Sequence, residues 1–384
     1  MHLFISAGEP SGDLHGANLI KALKKADPTI RFSGFGGEKM ETAGCKLLFP
    51  LTSLAVMWFL HALLNIFKFI RLTKQAQRYF RDEKPDAVVL IDFPGFHWGL
   101  AKRAHAEGIP VYYFVPPQLW AWAPWRIKKM KKYVRHVLSA LPFEDEWYKK
   151  RGMRSDYIGH PYFDELAAKK PDALFVDYQK GLPGRPVAIL PGSRMQEVKK
   201  NLPDMLDAAR LIHEQRPGTR FLVASFNEAQ AVVARELIAA KPEMPITVFT
   251  GRTLDIISAA EACLSVSGSV SLEIMYHNKP AAIIYRLSRF ALFLGRQFKL
   301  CKYITLVNLL ADKEIYPEFL TDHSPAPEMA ERVLEWLDRP SRMLEVKQQL
   351  QEVRDRVAQP GACERAAAFI MHEMRGTSTL RQAA

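Results

Sequence analysis

The chain has 384 residues, 48% of them hydrophobic, which excludes a disordered or fibrous polymer and leaves room for two or three packed domains. Its formal charge of +12 and pI near 9.4 point to an anionic partner, whether nucleic acid, anionic lipid or a phosphorylated substrate, without choosing among them. Four cysteines, Cys45, Cys263, Cys301 and Cys363, stand far apart without CxxC or zinc-type spacing, so reduced thiols in a cytosolic protein are expected rather than a disulfide framework or a metal cluster.

His2 to Ser6 reads as an apolar strand, with no basic region and cleavable apolar segment to mark export. It runs into Ala7-Gly8-Glu9-Pro10-Ser11-Gly12-Asp13, a Gly-rich loop, and then an amphipathic helix through Leu14, Leu19, Ile20 and Leu23. Ligands of open α/β sheets bind at the carboxyl ends of strands, so Glu9, Ser11 and Asp13 are expected to face a site; helix capping by Ser11 or Asp13 is the competing explanation. Phe32 to Gly37 gives a second strand and a glycine turn. Residues 54 to 70 are strongly apolar, but His61, Asn65 and Lys68 interrupt a run already short for a bilayer, which argues against a transmembrane helix. With Arg71, Lys74, Arg78 and Arg81 following, the segment is either an interfacial membrane-docking element or a buried helix with a solvated face.

Ala87 to Ile91 is a buried strand that ends on Asp92, immediately before Phe93-Pro94-Gly95. Partial desolvation there raises a carboxylate toward the pKa of a useful general base; His97 is an alternative base, and a simple turn cap the structural explanation. After a strand at Val111 to Val115, the stretch Pro116 to Trp125 is too aromatic and Pro-rich for an ordinary connector and suits a sugar or acyl pocket. Arg126, Lys128, Lys129, Lys131, Lys132 and Arg135 then form a basic helix that meets phosphate or anionic lipid, or only solvent. Val137 to Ala140 with Pro142-Phe143-Glu144 makes another strand-to-helix step, and Tyr157-Ile158-Gly159-His160-Pro161 closes the first half.

The second half opens at Val187-Ala188-Ile189-Leu190-Pro191-Gly192-Ser193-Arg194, a buried strand, a tight turn and a helix start. Gly192 lets backbone approach a ligand, Ser193 caps the helix, and free amide groups with Arg194 make a seat for a nucleotide diphosphate; a structural turn without ligand is the alternative. Strands at Phe221 to Ala224, Ile246 to Phe249, Ala262 to Val266 and Ala281 to Tyr285 alternate with helical patterns, a second doubly wound sheet. Ser267, Gly268 and Ser269 form a second phosphate-type loop with Glu273 beyond it to accept from ribose hydroxyls, or else only a capped helix start with an exposed Glu. Arg286 to Lys302 repeats the apolar-basic pattern, and Asn308 interrupts another apolar stretch, where a buried, locally satisfied Asn is the structural explanation. Residues from Pro325 to Met374 are helical, with the final helix expected to pack back across both domains. The expected organisation is therefore a domain at 1–165, a second at 166–350, C-terminal helices at 351–376 and a disordered tail at 377–384.

These stretches resemble the lipid-A-disaccharide synthase family of glycosyltransferases along nearly the whole chain. The resemblance rests on Ala7 to Asp13, Ala55-Val56-Met57, Ile91-Asp92-Phe93-Pro94, Trp120-Ala121-Trp122, Leu141-Pro142-Phe143-Glu144, Leu190 to Arg194, Ser267-Gly268-Ser269 through Glu273, and Asn308-Leu309-Leu310. Trp58 stands where Gly is usual, Ala123 where Arg is common and Thr321 where Gln is common, departures that bear on acyl or phosphate contacts. The resemblance implies an α/β protein of GT-B architecture, two facing Rossmann-like domains, the first for acceptor and lipid and the second for the UDP-sugar donor. It implies transfer of 2,3-diacylglucosamine from its UDP derivative to 2,3-diacylglucosamine 1-phosphate, forming a β-1,6-linked disaccharide with inversion and without a metal or other cofactor.

Under that resemblance Asp92 is the base, and Gly192, Ser193, Arg194 and Ser267 to Ser269 hold the diphosphate. Glu273 contacts ribose, while Glu9, Ser11 and Asn308 are further active-site residues. It also implies a peripheral position on the cytoplasmic face of the inner membrane, no specific nucleic acid, and is compatible with a homodimer. Two other readings compete: a sugar-nucleotide epimerase or hydrolase of similar fold, and a noncatalytic membrane or nucleic-acid binder.

Overall fold

A computed structural model describes residues 1–53, 62–241, 244–289 and 301–382. The apolar stretches at 54–61, with Trp58, and at 290–300 lie outside these residues. The chain divides into two units, Met1–Glu165 joined by Gln359–Ala384, and Leu166–Ala358.

The first unit is built on seven parallel strands: β1 His2–Ala7, β2 Arg31–Gly36, β3 Cys45–Pro50, β4 Ala87–Ile91, β5 Val111–Phe114, β6 His136–Ser139 and β7 Ser155–Tyr157. Their order is β3-β2-β1-β4-β5-β6-β7. Strands β1, β4 and β5 are buried along their whole length, as continuous apolar runs require when helices cover both faces of a sheet. Period-2 alternation divides the core: Leu3, Ile5, Val89 and Ile91 share one cluster with the helix Pro10–Ala26, while Phe4, Val88 and Leu90 share the other with Leu72, Phe80, Phe96 and Leu100.

The last helix, Ala362–Gln382, belongs to this first unit. Cys363, Ala366, Ala367, Ile370, Met371 and Met374 join the cluster of Leu3 and Ile5, and burial of such side chains is worth about 1.5–3 kcal/mol for each large one. Asp164 fixes its start by accepting from the amides of Gly361 (2.6 Å), Ala362 (3.1 Å) and Cys363 (3.0 Å). The return thus begins at Gln359, inside the span expected at 351–376, and the helix continues to Gln382 through residues expected as a disordered tail.

The second unit carries six parallel strands: β8 Arg185–Leu190, β9 Thr219–Ser225, β10 Ile246–Thr250, β11 Ala262–Val266, β12 Ala281–Arg286 and β13 Glu318–Thr321, ordered β10-β9-β8-β11-β12-β13. In both sheets the strand order reverses once near the centre, between β1 and β4 and between β8 and β11. At such a switch point adjacent loops leave in opposite directions and open a crevice at the carboxyl ends of the strands. Among the described residues no helix is long and apolar enough to cross a membrane. Cys45, Cys263 and Cys363 are buried free thiols, and Cys301 is a partly buried one.

Candidate functional site

In the first unit, Ala7 is in register with Ile91, so the Gly8–Asp13 loop and Asp92 leave adjacent strands at the switch point. The two turns touch closely: a Cβ on Gly8 would lie 2.2 Å from Cγ of Phe93, which is why only glycine fits there. Asp92 and Phe93 both have φ of 50°, a left-handed conformation that non-Gly residues adopt at a cost. Burial pushes the Asp92 carboxyl up to about 6, the neighbouring charge of Glu9 adds to the rise, and the amide of Phe93 opposes it.

Glu9 is the half-buried N-cap residue of the helix Pro10–Ala26, and Ser11 is exposed on its first turn. The structure brings these two to the same strand edge as Asp92. Asp13 is turned elsewhere. Its buried carboxylate accepts from the amides of Gly37 (2.7 Å), Lys39 (3.1 Å) and Met40 (3.1 Å), so it caps the helix Glu38–Thr42 rather than facing a ligand or capping its own helix. His97 is fully buried; both ring nitrogens have partners and burial drives the ring down to about 3, which removes it as an alternative base.

The aromatic stretch splits into an anchor and an exposed part. Trp120 donates from Nε1 to Glu144 (3.1 Å), a carboxyl that is 1% exposed and pushed by burial up to about 8. Trp122 and Trp125 are 57% and 64% exposed, and Ala123 is buried between them in sequence. Thr321, in the second unit, accepts from the amide of His323 (3.1 Å) and closes a turn.

In the second unit, Ser265 pairs in register with Leu190, so the loops Pro191–Arg194 and Ser267–Ser269 emerge side by side at the switch point. Gly192 has φ of 116°, and a Cβ there would meet Glu197 Oε2 at 2.5 Å. The helix Met195–Gln215 starts with Arg194, not Ser193, as its N-cap residue. The amides of Ser193 (3.1 Å) and Arg194 (3.2 Å) are not free: both donate to Glu197 Oε2, whose other oxygen pairs with Arg194 Nη1 at 3.2 Å. A carboxylate of the chain itself thus occupies the backbone nest expected for phosphate. Gln230, 2% exposed, donates from Nε2 to the Ser193 carbonyl at 2.8 Å and ties this loop to the one after β9.

Ser267 is half-buried, Gly268 and Ser269 are exposed, and Glu273 is half-buried on the helix Val270–Tyr276. Asn308 joins none of these. It is 0% exposed and its amide is saturated: Nδ2 donates to the Tyr316 carbonyl (2.7 Å) and Glu318 Oε1 (2.9 Å), while Oδ1 accepts from the amides of Ile315 and Tyr316, each at 2.9 Å. No donor or acceptor remains for a substrate. Among the described residues no group of His, Cys, Asp or Glu could hold a metal ion.

Sequence reasoning passed over Glu197, Ser6 and Tyr113. Glu197 had a signal, a Glu three positions after the helix cap. Ser6 and Tyr113 had none, because both sit inside apolar strand runs.

A profile of the lipid-A-disaccharide synthetase family matches residues 3–372. The lipid-A-disaccharide synthase of Syntrophus aciditrophicus is 34% identical over 370 residues, covering 96% of this chain and 97% of its own. That of Myxococcus xanthus is 33% identical over 377 residues, covering 96% of each. Among solved structures, the UDP-GlcNAc 2-epimerase of Neisseria meningitidis bound to UDP-GlcNAc aligns with a TM-score of 0.63 at 12% identity, over 98% of this chain and 100% of that one. MurG of Acinetobacter baumannii aligns with a TM-score of 0.58 at 14% identity, over 97% and 99%. At such identities the likeness is one of fold, the α/β GT-B fold of glycosyltransferases and sugar-nucleotide epimerases.

Proposed function

Because this chain belongs to the lipid-A-disaccharide synthetase family, we propose that it transfers 2,3-diacylglucosamine from its UDP derivative to 2,3-diacylglucosamine 1-phosphate. The products are a β-1,6-linked disaccharide 1-phosphate and UDP. The observation that carries the site assignment is the emergence of the two phosphate-type loops, 191–194 and 267–269, from adjacent strands at the switch point of the second sheet. The epimerase reading shares the fold at 12% identity, whereas the relatives at 33–34% identity are synthases.

In this reading Asp92 takes the proton of the acceptor 6-hydroxyl as its oxygen attacks the anomeric carbon on the face opposite the α-linked diphosphate. The bond from that carbon to the diphosphate oxygen breaks, inverting the centre, and UDP leaves with the bonding pair. Arg194 and the Ser267, Gly268 and Ser269 loop hold the departing charge, and a diphosphate oxygen replaces Glu197 at the amides of Ser193 and Arg194 beside Gly192. Glu273 accepts from ribose hydroxyls. Glu9 tunes Asp92, and Ser11 lies beside them on the acceptor side.

Purified protein incubated with both sugars should form disaccharide and UDP in equal amounts, and neither without acceptor, when followed by mass spectrometry. UDP released without disaccharide would instead establish hydrolysis.

The same reading places the protein peripherally on the cytoplasmic face of the membrane that holds its acylated substrates. Exposed Trp122 and Trp125 beside exposed Lys128, Lys129, Lys131 and Lys132 support it, since indoles settle at the headgroup level and each cation near an anionic surface contributes about 1 kcal/mol. Vesicles containing phosphatidylglycerol should retain the protein at low salt and release it as salt rises, with Trp122→Ala/Trp125→Ala weakening retention by roughly tenfold. Equal retention of wild type and double variant would exclude this surface.

A further inference from the structure

We infer that Ser6, His97 and Tyr113 form a positioning array that holds the backbone of Asp92 in its left-handed conformation and so aims its carboxylate; this rests on Asp92 being the base. Of the described residues, six other than glycine have positive φ, and three of them cluster here: Asp92, Phe93 and Val115, at 50°, 50° and 52°. Val115 is β-branched, for which this conformation is an outlier, and its carbonyl accepts from the Asp92 amide at 3.2 Å. Strain gathered at one strand edge persists only where surrounding contacts over-determine it.

Those contacts converge on one atom. The Asp92 carbonyl oxygen accepts from His97 Nδ1 at 2.6 Å and from the Tyr113 hydroxyl at 2.7 Å, which uses both of its lone pairs. Since a carbonyl only accepts, the His97 proton is on Nδ1, and Nε2 accepts from the Ser6 hydroxyl at 2.9 Å. Ser6 comes from β1, His97 from the helix Pro94–Ala106 and Tyr113 from β5, so three elements fix one peptide group. All three side chains are 0% exposed; none can touch substrate. They act through Asp92, binding its carbonyl and leaving its carboxyl, which feels the charge of Glu9, to the site.

The test compares His97→Leu, His97→Asn and Tyr113→Phe with wild type, measuring kcat, both KM values and melting temperature. Loss of aim costs chemistry rather than binding, so His97→Leu should lower kcat about 100-fold and Tyr113→Phe about tenfold with KM within roughly twofold. His97→Asn, whose amide nitrogen can reach the place of Nδ1, should recover most of the loss. In an Asp92→Asn background His97→Leu should cost nothing further.

A folded His97→Leu protein with wild-type kcat, or a loss appearing only in KM, would overturn the array. If His97→Leu does not fold, Tyr113→Phe, which deletes one hydroxyl, decides alone. Normal turnover by Asp92→Asn itself would instead remove the base assignment on which the array depends.

Discussion

Replacing Asp92 by Asn should lower turnover by about 10²–10⁴-fold while UDP binding, measured by calorimetry, stays within about twofold of wild type. The substitution keeps size and shape and removes only the proton acceptor. The bonds that position the residue run to its backbone carbonyl, so they survive. Because burial and Glu9 raise the carboxyl to about 6, kcat/KM of the wild type should climb as pH rises through 6 and level off above it. Glu9→Gln removes the nearby negative charge and should move that limb to lower pH.

Stability runs the other way. The folded value exceeds the ordinary 3.8, so the native state holds the proton more tightly than the unfolded chain. The stabilisation is complete below 3.8 and is lost as pH rises through 6. At pH 7.5 the ionised, buried carboxylate costs up to about 3 kcal/mol, and Asp92→Asn should melt at or above the wild-type temperature there. Near-normal turnover of Asp92→Asn, or an acid limb that persists unchanged in it, would exclude Asp92 as the base.

Asn308→Ala should destabilise the second unit by about 3–5 kcal/mol, because it leaves two buried amides and a carbonyl without their partner and removes one of the three bonds to Glu318 Oε1. Glu318 depends on the same network, accepting from the amides of Ile304 (2.7 Å) and Thr305 (2.8 Å) as well as from Asn308. The melting temperature should fall by roughly 10 °C, with kcat per folded molecule close to wild type well below the transition. An unchanged melting temperature with depressed kcat would return Asn308 to the chemistry. The distinction matters because lost activity in a heated assay is the same for both roles.

The strand ends that carry the candidate site were legible in sequence. A carboxylate at the end of an apolar strand, Asp92, and Pro-Gly-Ser-Arg at the end of another are local patterns, and strand polarity alone puts both at carboxyl edges. Asn308 had two readings, a buried and locally satisfied Asn from the residues and an active-site residue from the resemblance, because a polar residue in an apolar run looks the same whether it faces a ligand or closes a loop. Glu197 shows a different limit. Its spacing marks a helix start, but only the fold shows its carboxylate on the amides of Ser193 and Arg194.

The alternation of strand and helix patterns by itself determined two α/β halves, because hydrophobic periodicity is a local consequence of which face each element buries. Strand order, and with it the pairing of β1 with β4 and of β8 with β11, was decided by tertiary structure. So were the partners of the buried polar groups. Asp13 caps a helix 24 residues away, and Ser6 meets His97 across 91. The geometry of such bonds depends on how whole elements pack, and no spacing within either segment encodes it.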